Sequence, residues 1–479
     1  MRKVSLIVLG LTFLLAGCNT PPKDRSGELE IKTPENWTAL GDESLPPFSS
    51  GWLKDIADPL LPNLIAQSLA HNYNLQAVAA RLEISRANTV ISGADRYPQL
   101  FAGVSGSRRQ RTGTSGFALT SNRSDTFGIA FDINWEIDLW GRLRDSARAS
   151  VADFQASESD YRSARLSLAG RTSKSWFDAV EAELQVRLAE DTLESFEDNL
   201  EIVEERFRRG ITRALDVRLT RTNVAAARSN LQSRLRLRDI EVRTLEVIMG
   251  RYPSYQMALA SDLPVITQPV PAGLPVELLE RRPDLLAAER RLAAADSRLK
   301  VSKKNRLPAI RLTASGGSST NDLSEILNTD FKVWNLATNL AQPLFQGGRL
   351  AAGVDRSQAS REQALAEYGQ TALQAFREVE STLAAEVYLK EQELALRDGA
   401  EEALEAESLA WDQYQKGLSD IITVLESQRR AFDSKRQLLQ ISNQRLQNRI
   451  NLYLALGGDF GQSAATASAE NKKNEANDT

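Results

Sequence analysis

The sequence predicts a mainly α-helical chain that carries part of a membrane β-barrel and is built by internal duplication, with four strands and long coiled-coil helices per chain. Three observations carry that expectation. From Phe127 through Ile129, Phe131, Ile133, Trp135 and Ile137 to Leu139 every second residue is apolar, with Gly128, Ala130, Asp132, Asn134, Glu136 and Asp138 between them. Gly141 to Gly210 holds no proline and no glycine except Gly170, so it reads as one helix, and Arg349 to Lys416 reads as its counterpart. Finally, Gly141-Arg142 matches Gly348-Arg349, Gly210 matches Gly417 and Gly250 matches Gly457, all at one constant offset, which is the mark of a repeated structural unit.

In chain order, Arg2 and Lys3 precede an apolar run from Val4 to Leu15 that is too short to span a bilayer as a mature helix. It ends in Leu15-Ala16-Gly17-Cys18, which resembles the bacterial lipobox, so residues 1–17 read as a signal peptide and Cys18 as the acylated first residue of the mature chain. Cys18 is the only cysteine among 479 residues, which leaves no disulfide to form. Asn19 follows it, without the aspartate that, by resemblance to enteric lipoproteins, favours inner-membrane retention. Residues 18–50 are Pro-, Ser- and Glu-rich and are expected to run extended along the surface.

A first repeat is assigned to residues 51–260. Asn74 is the expected N-cap of a helix running to about Tyr97, where Pro98 ends it. Two strands follow. Period-two alternation with one apolar and one polar face suits a strand between lipid and water. A soluble sandwich strand has the same period, and the lipobox argues against it. The Arg-, Ser-, Thr- and Gly-rich stretch between Ser105 and Asp125 reads as a water-facing loop. The long helix then spans roughly 67 residues, or about 100 Å. Val186, Ala189, Leu193, Phe196, Leu200, Val203 and Phe207 recur at alternate threes and fours, a coiled-coil seam. Gly210 breaks the helix, and a second one returns from Ala214 to Met249.

The second repeat, residues 261–460, opens on Asp284-Leu285 and reaches Pro308 with the spacing that separates Leu75 from Pro98. Its strands are expected around Ala309 to Ala314 and Phe331 to Leu344, with Trp334 as an aromatic anchor and Gly347-Gly348 as a turn. Residues 461–479 are polar and expected to be disordered. Four strands cannot close a membrane barrel, and lipid tolerates no free sheet edge, so the chain must assemble; two, three or four copies all satisfy that count.

Composition excludes other classes. A net charge of −4 argues against a nucleic-acid binder, and no apolar stretch after the signal is long enough for a transmembrane helix. The single histidine, His71, sits on a helix beside Asn72 and reads as an exposed helix residue. No Cys/His metal cluster and no glycine-rich strand–helix loop is present, so no enzyme, no metal and no cofactor is expected.

Several segments resemble a known family. Trp52-Leu53, Asp58-Pro59-Leu60, Leu64-Ile65 and Asn74-Leu75 resemble the opening of outer membrane factors of the TolC/OprM-like, NodT-type efflux lipoprotein family. So do Leu278-Leu279-Glu280-Arg281-Arg282-Pro283-Asp284-Leu285 with Ala288-Glu289, and Pro343-Leu344-Phe345-Gln346-Gly347-Gly348-Arg349. The resemblance covers nearly the whole mature chain. It implies a homotrimer in which a twelve-strand β-barrel continues into a twelve-helix periplasmic α-barrel. It also implies a Gram-negative outer membrane as the location, and a periplasmic adaptor (membrane fusion) protein and an inner-membrane RND-type pump as partners. The outer-membrane component of a type I protein secretion system and a lipid-anchored coiled-coil periplasmic scaffold are the alternatives. The scaffold leaves the alternating strands without a role. The cargo is not legible, though few His and three Met argue weakly against a metal relay.

The same resemblance points to the periplasmic tip. Gly210 and Gly417 mark the turns farthest from the membrane, with Arg206, Arg208, Arg209 and Arg213 around one and Lys416 and Asp420 beside the other, as expected for adaptor docking; a solvated helix end is the plainer reading. A gate is expected there. The resemblance places Tyr414, three residues before Gly417, in a charge-assisted bond with Asp216, six residues after Gly210, worth about 1.5–3 kcal/mol. The plainer reading puts Tyr414 in the heptad seam and Asp216 at a helix start. Ser419 stands where the family has an arginine, and Thr423 where it has the first of two acids. Glu426 keeps the second acid, and Asp412 is a further candidate for a ring of charge.

Overall fold

The structure is a computed structural model that describes residues 37–40, 53, 56–115, 118–267 and 278–458. The expected signal peptide, Cys18 and the 461–479 tail lie outside the described residues. Helices α1 (Leu61–His71) and α2 (Tyr73–Ala94) lead into strands β1 (Gln99–Ser115) and β2 (Ala118–Ile137). Helix α3 (Arg142–Arg208) then runs for 67 residues and α4 (Ala214–Ile248) returns for 35. The second half repeats the order with α5 (Leu278–Arg281), α6 (Pro283–Lys304), β3 (Ala309–Thr320), β4 (Lys332–Ala341), α7 (Arg349–Gln415) and α8 (Ile421–Ala455). Helices α7 and α8 again have 67 and 35 residues. Gly141, Gly210, Gly250, Gly348, Gly417 and Gly457, the recurring glycines, all have φ between 71° and 82°. L-residues rarely adopt that conformation, so each glycine stops or starts a helix for a steric reason.

The core sits where α1 packs against the long hairpins. Leu61 and Ile65 of α1, Trp176, Phe177 and Val180 of α3, Leu245 of α4 with Met249 just after it, and Leu446, Ile450 and Tyr453 of α8 form one buried cluster. Asp58 organises its edge: one carboxylate oxygen accepts the Leu60 and Leu61 N–H groups at 2.8 and 3.2 Å, and the other accepts the Trp176 indole N–H at 2.6 Å. At Gly250 a Cβ would stand 2.3 Å from the His71 carbonyl oxygen, so the α4 turn docks on α1 by backbone contact.

Several boundaries differ from expectation. Asn72, not Asn74, caps α2: its side chain accepts the Leu75 N–H at 3.0 Å and donates to the Ile248 carbonyl at 2.8 Å, a long-range bond no local rule foresees. The helix ends at Ala94, and Arg96 and Tyr97 close its last turn. The stretch from Ser105 to Asp125 is not a loop. The β1–β2 ladder continues through Arg108 opposite Asp125 to Ser115 opposite Ala118. It lacks an apolar face because the strands there have left the lipid-matching band, not because they have stopped pairing. Strand β3 likewise runs six residues past Ala314, to Thr320. Within the segment expected to be extended on the surface, Trp37 is buried and Thr38–Leu40 forms a 3₁₀ turn.

Candidate functional site: a two-faced sheet and a paired hairpin tip

The four strands pair antiparallel in the order β1-β2-β3-β4, so β1 and β4 are the edges. Register sorts their side chains. Leu100, Ala102 and Val104 of β1 lie opposite Ile133, Phe131 and Ile129, and the same row carries Ile310 and Leu312 of β3 and Leu336 and Leu340 of β4. The other face holds Asp132, Asn134 and Glu136 with Arg311, Thr313 and Asn339. From Ile137 to Phe127 the apolar row rises about 34 Å along the strand, which at a tilt near 45° matches the apolar band about 25 Å tall of outer-membrane barrels. Above it Arg108 pairs with Asp125 at 2.7 Å, and polar side chains occupy both faces. Trp334 is 82% exposed on the apolar face, as an aromatic anchor requires. Trp135 donates to the Arg96 carbonyl at 3.0 Å and Trp140 to the Pro308 carbonyl at 2.8 Å, tying sheet to helices. Among the described residues no helix is long and apolar enough to cross a membrane.

At the opposite end the two helical hairpins meet. Both turns are Schellman-like: Ile211 N–H reaches the Arg206 carbonyl and Leu418 N–H the Gln413 carbonyl, each at 2.9 Å. Val203 and Val217 of the first hairpin pack with Ala410, Tyr414, Ile421 and Val424 of the second. Of the expected seam on α3, Val186, Ala189 and Val203 are buried, whereas Phe207 is exposed.

The Tyr414–Asp216 bond is not formed. Tyr414 is buried, stacked on Trp411 at 5.6 Å, with the Arg206 guanidinium 4.9 Å from its ring centre, and its hydroxyl has no hydrogen-bond partner. Asp216 is occupied locally, accepting from the Thr212 hydroxyl at 2.6 Å, the Arg213 N–H at 3.1 Å and the Arg213 guanidinium at 3.2 Å. Burial pushes its carboxyl pKa up, but these three donors outweigh burial and hold it below the ordinary value. Glu426 bridges Arg429 and Arg430 on one helix face, and Arg429 holds its pKa down. Asp412 pairs with Lys416 at 2.6 Å. The tip cations are therefore largely engaged inside the chain: Arg206 on Tyr414, Arg209 with Glu205, Arg213 with Asp216 and Lys416 with Asp412.

Three features escaped the sequence reading. Glu380 of α7 clamps the N-terminal segment: its oxygens accept the Thr38 N–H and hydroxyl at 2.9 and 2.8 Å and the Ala39 N–H at 2.9 Å, while Trp37 packs on Phe376. Glu386 and Glu393 of α7 pair with Arg449 and Arg445 of α8 at 2.6 and 2.7 Å, nearly dry. Their spacings of seven and four residues place each set on one helix face, a charge pattern legible in principle. Asp178, held by Asn443 at 2.8 Å, has a pKa raised by burial, and that of Glu241 is raised by burial and by Asp178. His71 ends α1, exposed, with its Nδ1 3.0 Å from the Gln67 carbonyl, and among the described residues no three His, Cys, Asp or Glu side chains are placed to hold a metal ion.

A sheet with one lipid-matching face, continued by helical hairpins about 100 Å long, defines a channel component of the outer membrane. The family model described as outer membrane efflux protein matches residues 64–251 and again 274–458. The chain is 31% identical to the probable efflux pump outer membrane protein TtgC of Pseudomonas putida, over 98% of this chain and 99% of that one. It is 29% identical to outer membrane protein OprJ of Pseudomonas aeruginosa, over 96% and 98%. Among solved structures it resembles the outer-membrane channel OprN with a TM-score of 0.84 at 25% identity, covering 92% of this chain and all of that one. It also resembles the Neisseria gonorrhoeae MtrE outer membrane channel in its open state, with a TM-score of 0.78 at 26% identity over 91% of this chain and 100% of that one. The chain belongs to the outer membrane efflux protein family.

Proposed function

We propose that three copies close their sheets into one twelve-strand barrel and their helices into one periplasmic duct, which receives small organic compounds from an inner-membrane RND-type pump through a periplasmic adaptor. The observation that carries this reading is the open four-stranded sheet: its apolar face matches a membrane, yet β1 and β4 present unpaired edges that lipid does not tolerate. Relatives named as antibiotic, toluene and pyoverdine export proteins support small organic compounds as the cargo class. Residues 1–17 act as the signal peptide, and Cys18 carries the lipid that fixes the chain to the outer membrane. The turns at Gly210 and Gly417, with Arg209, Arg213 and Lys416, form the adaptor-docking end. Tyr414, Asp216, Glu426 and Asp412 surround the periplasmic gate, where Tyr414 acts by packing rather than through its hydroxyl. In detergent the particle mass should equal three chains, and planar bilayers should conduct. A folded monomer that conducts nothing would sink the duct.

A further inference from the structure

Both strand connections lie at the end of the sheet opposite the helices, because α2, α3, α6 and α7 all join the sheet at the other end. The two connections carry opposite charge. Between Ser107 and Thr126 the β1–β2 hairpin has Arg108, Arg109, Arg111 and Arg123 against one acid, Asp125, which Arg108 already holds. Residues 321–331, between β3 and β4, have Asp322, Glu325 and Asp330 and no cation. These charges do not cancel within the chain. Arg109 and Arg111 face Ser124 and Asn122 across the ladder, and among the described residues neither they nor Glu325 and Asp330 form an ion pair. The acidic loop also bares Leu323 and Leu327, the latter 80% exposed.

The basic hairpin belongs to edge strand β1 and the acidic loop to edge strand β4. In a ring, the β4 edge of one copy meets the β1 edge of the next. The apolar rows must match across that seam, because a one-residue slip would turn every side chain to the wrong face. Even-numbered residues form the apolar row on both edges. Setting Leu340 beside Leu100, at the helix end of each strand, brings Lys332, where β4 begins, level with Arg108, so that Asp330, in the 3₁₀ turn just before it, stands near Arg109 and Arg111. We propose that the acidic β3–β4 loop of one copy grips the arginine hairpin of the next, Asp330 and Glu325 against Arg109 and Arg111, as an inter-subunit clasp around the extracellular mouth. The clasp rests on the ring proposed above.

Disulfide trapping tests it in the full-length protein in native outer membranes. Arg111→Cys together with Asp330→Cys should give oxidant-dependent, reducible dimers and trimers, absent from either single variant, which also controls for Cys18. Arg109→Glu with Arg111→Glu should raise bilayer conductance, and adding Glu325→Arg with Asp330→Arg should return it to the wild-type level. Particles of three chains that never cross-link, or a charge swap that restores nothing, would overturn the clasp and leave the ring standing. A monomeric wild type would remove both.

Discussion

Around Trp176, side chains from α1, α3 and α8 and from the end of α4 share one dry cluster, and Glu386–Arg449 and Glu393–Arg445 lock α7 to α8 beside it. At the far end of the same hairpins a few side chains around Tyr414, with one bond from the Arg206 guanidinium to the Gln415 carbonyl at 3.2 Å, join the first hairpin to the second, and the other bonds at the turns stay within one hairpin. The helices are the same; the cross-links differ. Local opening costs least where buried apolar contacts are few. The few buried contacts between the two hairpins at the tip are what the gate proposed above would have to break, while the waist, the cluster around Trp176, would stay intact.

Trp176→Ala is the harshest way to break this contrast. It removes a fully buried side chain and leaves Asp58 without its indole partner, so a loss of about 3–5 kcal/mol is expected in urea unfolding followed by helical circular dichroism. A loss no greater than that of a tip substitution would mean the waist is not the rigid part. Asp216→Ala should act only locally. Loss of a capping carboxylate costs about 1 kcal/mol, about fivefold faster amide exchange in the first turn of α4 with the waist unchanged. Because the folded pKa of Asp216 is depressed, its contribution is present above the unfolded pKa and is lost as pH falls through the folded one. Wild type and variant should thus converge in acid and differ at neutral pH; divergence in acid would contradict the cap. The smallest effect belongs to Tyr414→Phe. The hydroxyl has no partner, so stability should stay within about 0.5 kcal/mol and conductance should not change. A rise in conductance would show that the phenol finds an acceptor in the assembled duct.

Much of the fold was legible because it is written in backbone-limited residues. Gly210 and Gly417 need a positive φ whatever surrounds them, so their spacing reported helix lengths directly. The alternation in β2 is equally direct. What failed to show depended on distant partners. Asn72 and Asn74 are equivalent caps by local rules, and the Ile248 carbonyl decides between them. The upper β1–β2 ladder has no apolar face, and only strand pairing distinguishes it from a loop. At the tip, the offsets of Tyr414 and Asp216 were readable, but Thr212 and Arg213 compete for the same carboxylate from a few residues away. Glu380 carried no signal, since its partners are backbone N–H groups more than 300 residues earlier.

That Glu380 contact has a mechanical consequence. From Arg349, where α7 leaves the sheet, to Glu380 the helix descends about 47 Å. The chain between Cys18 and Trp37 can reach at most about 65 Å when drawn taut. If Cys18 carries the lipid proposed above, its tether to Glu380 would have a contour length exceeding that descent by roughly 20 Å. Pull on such a lipid would then reach the fold at Glu380 of α7 and not at the barrel rim, and the contour length would cap how far the duct could shift along the membrane normal.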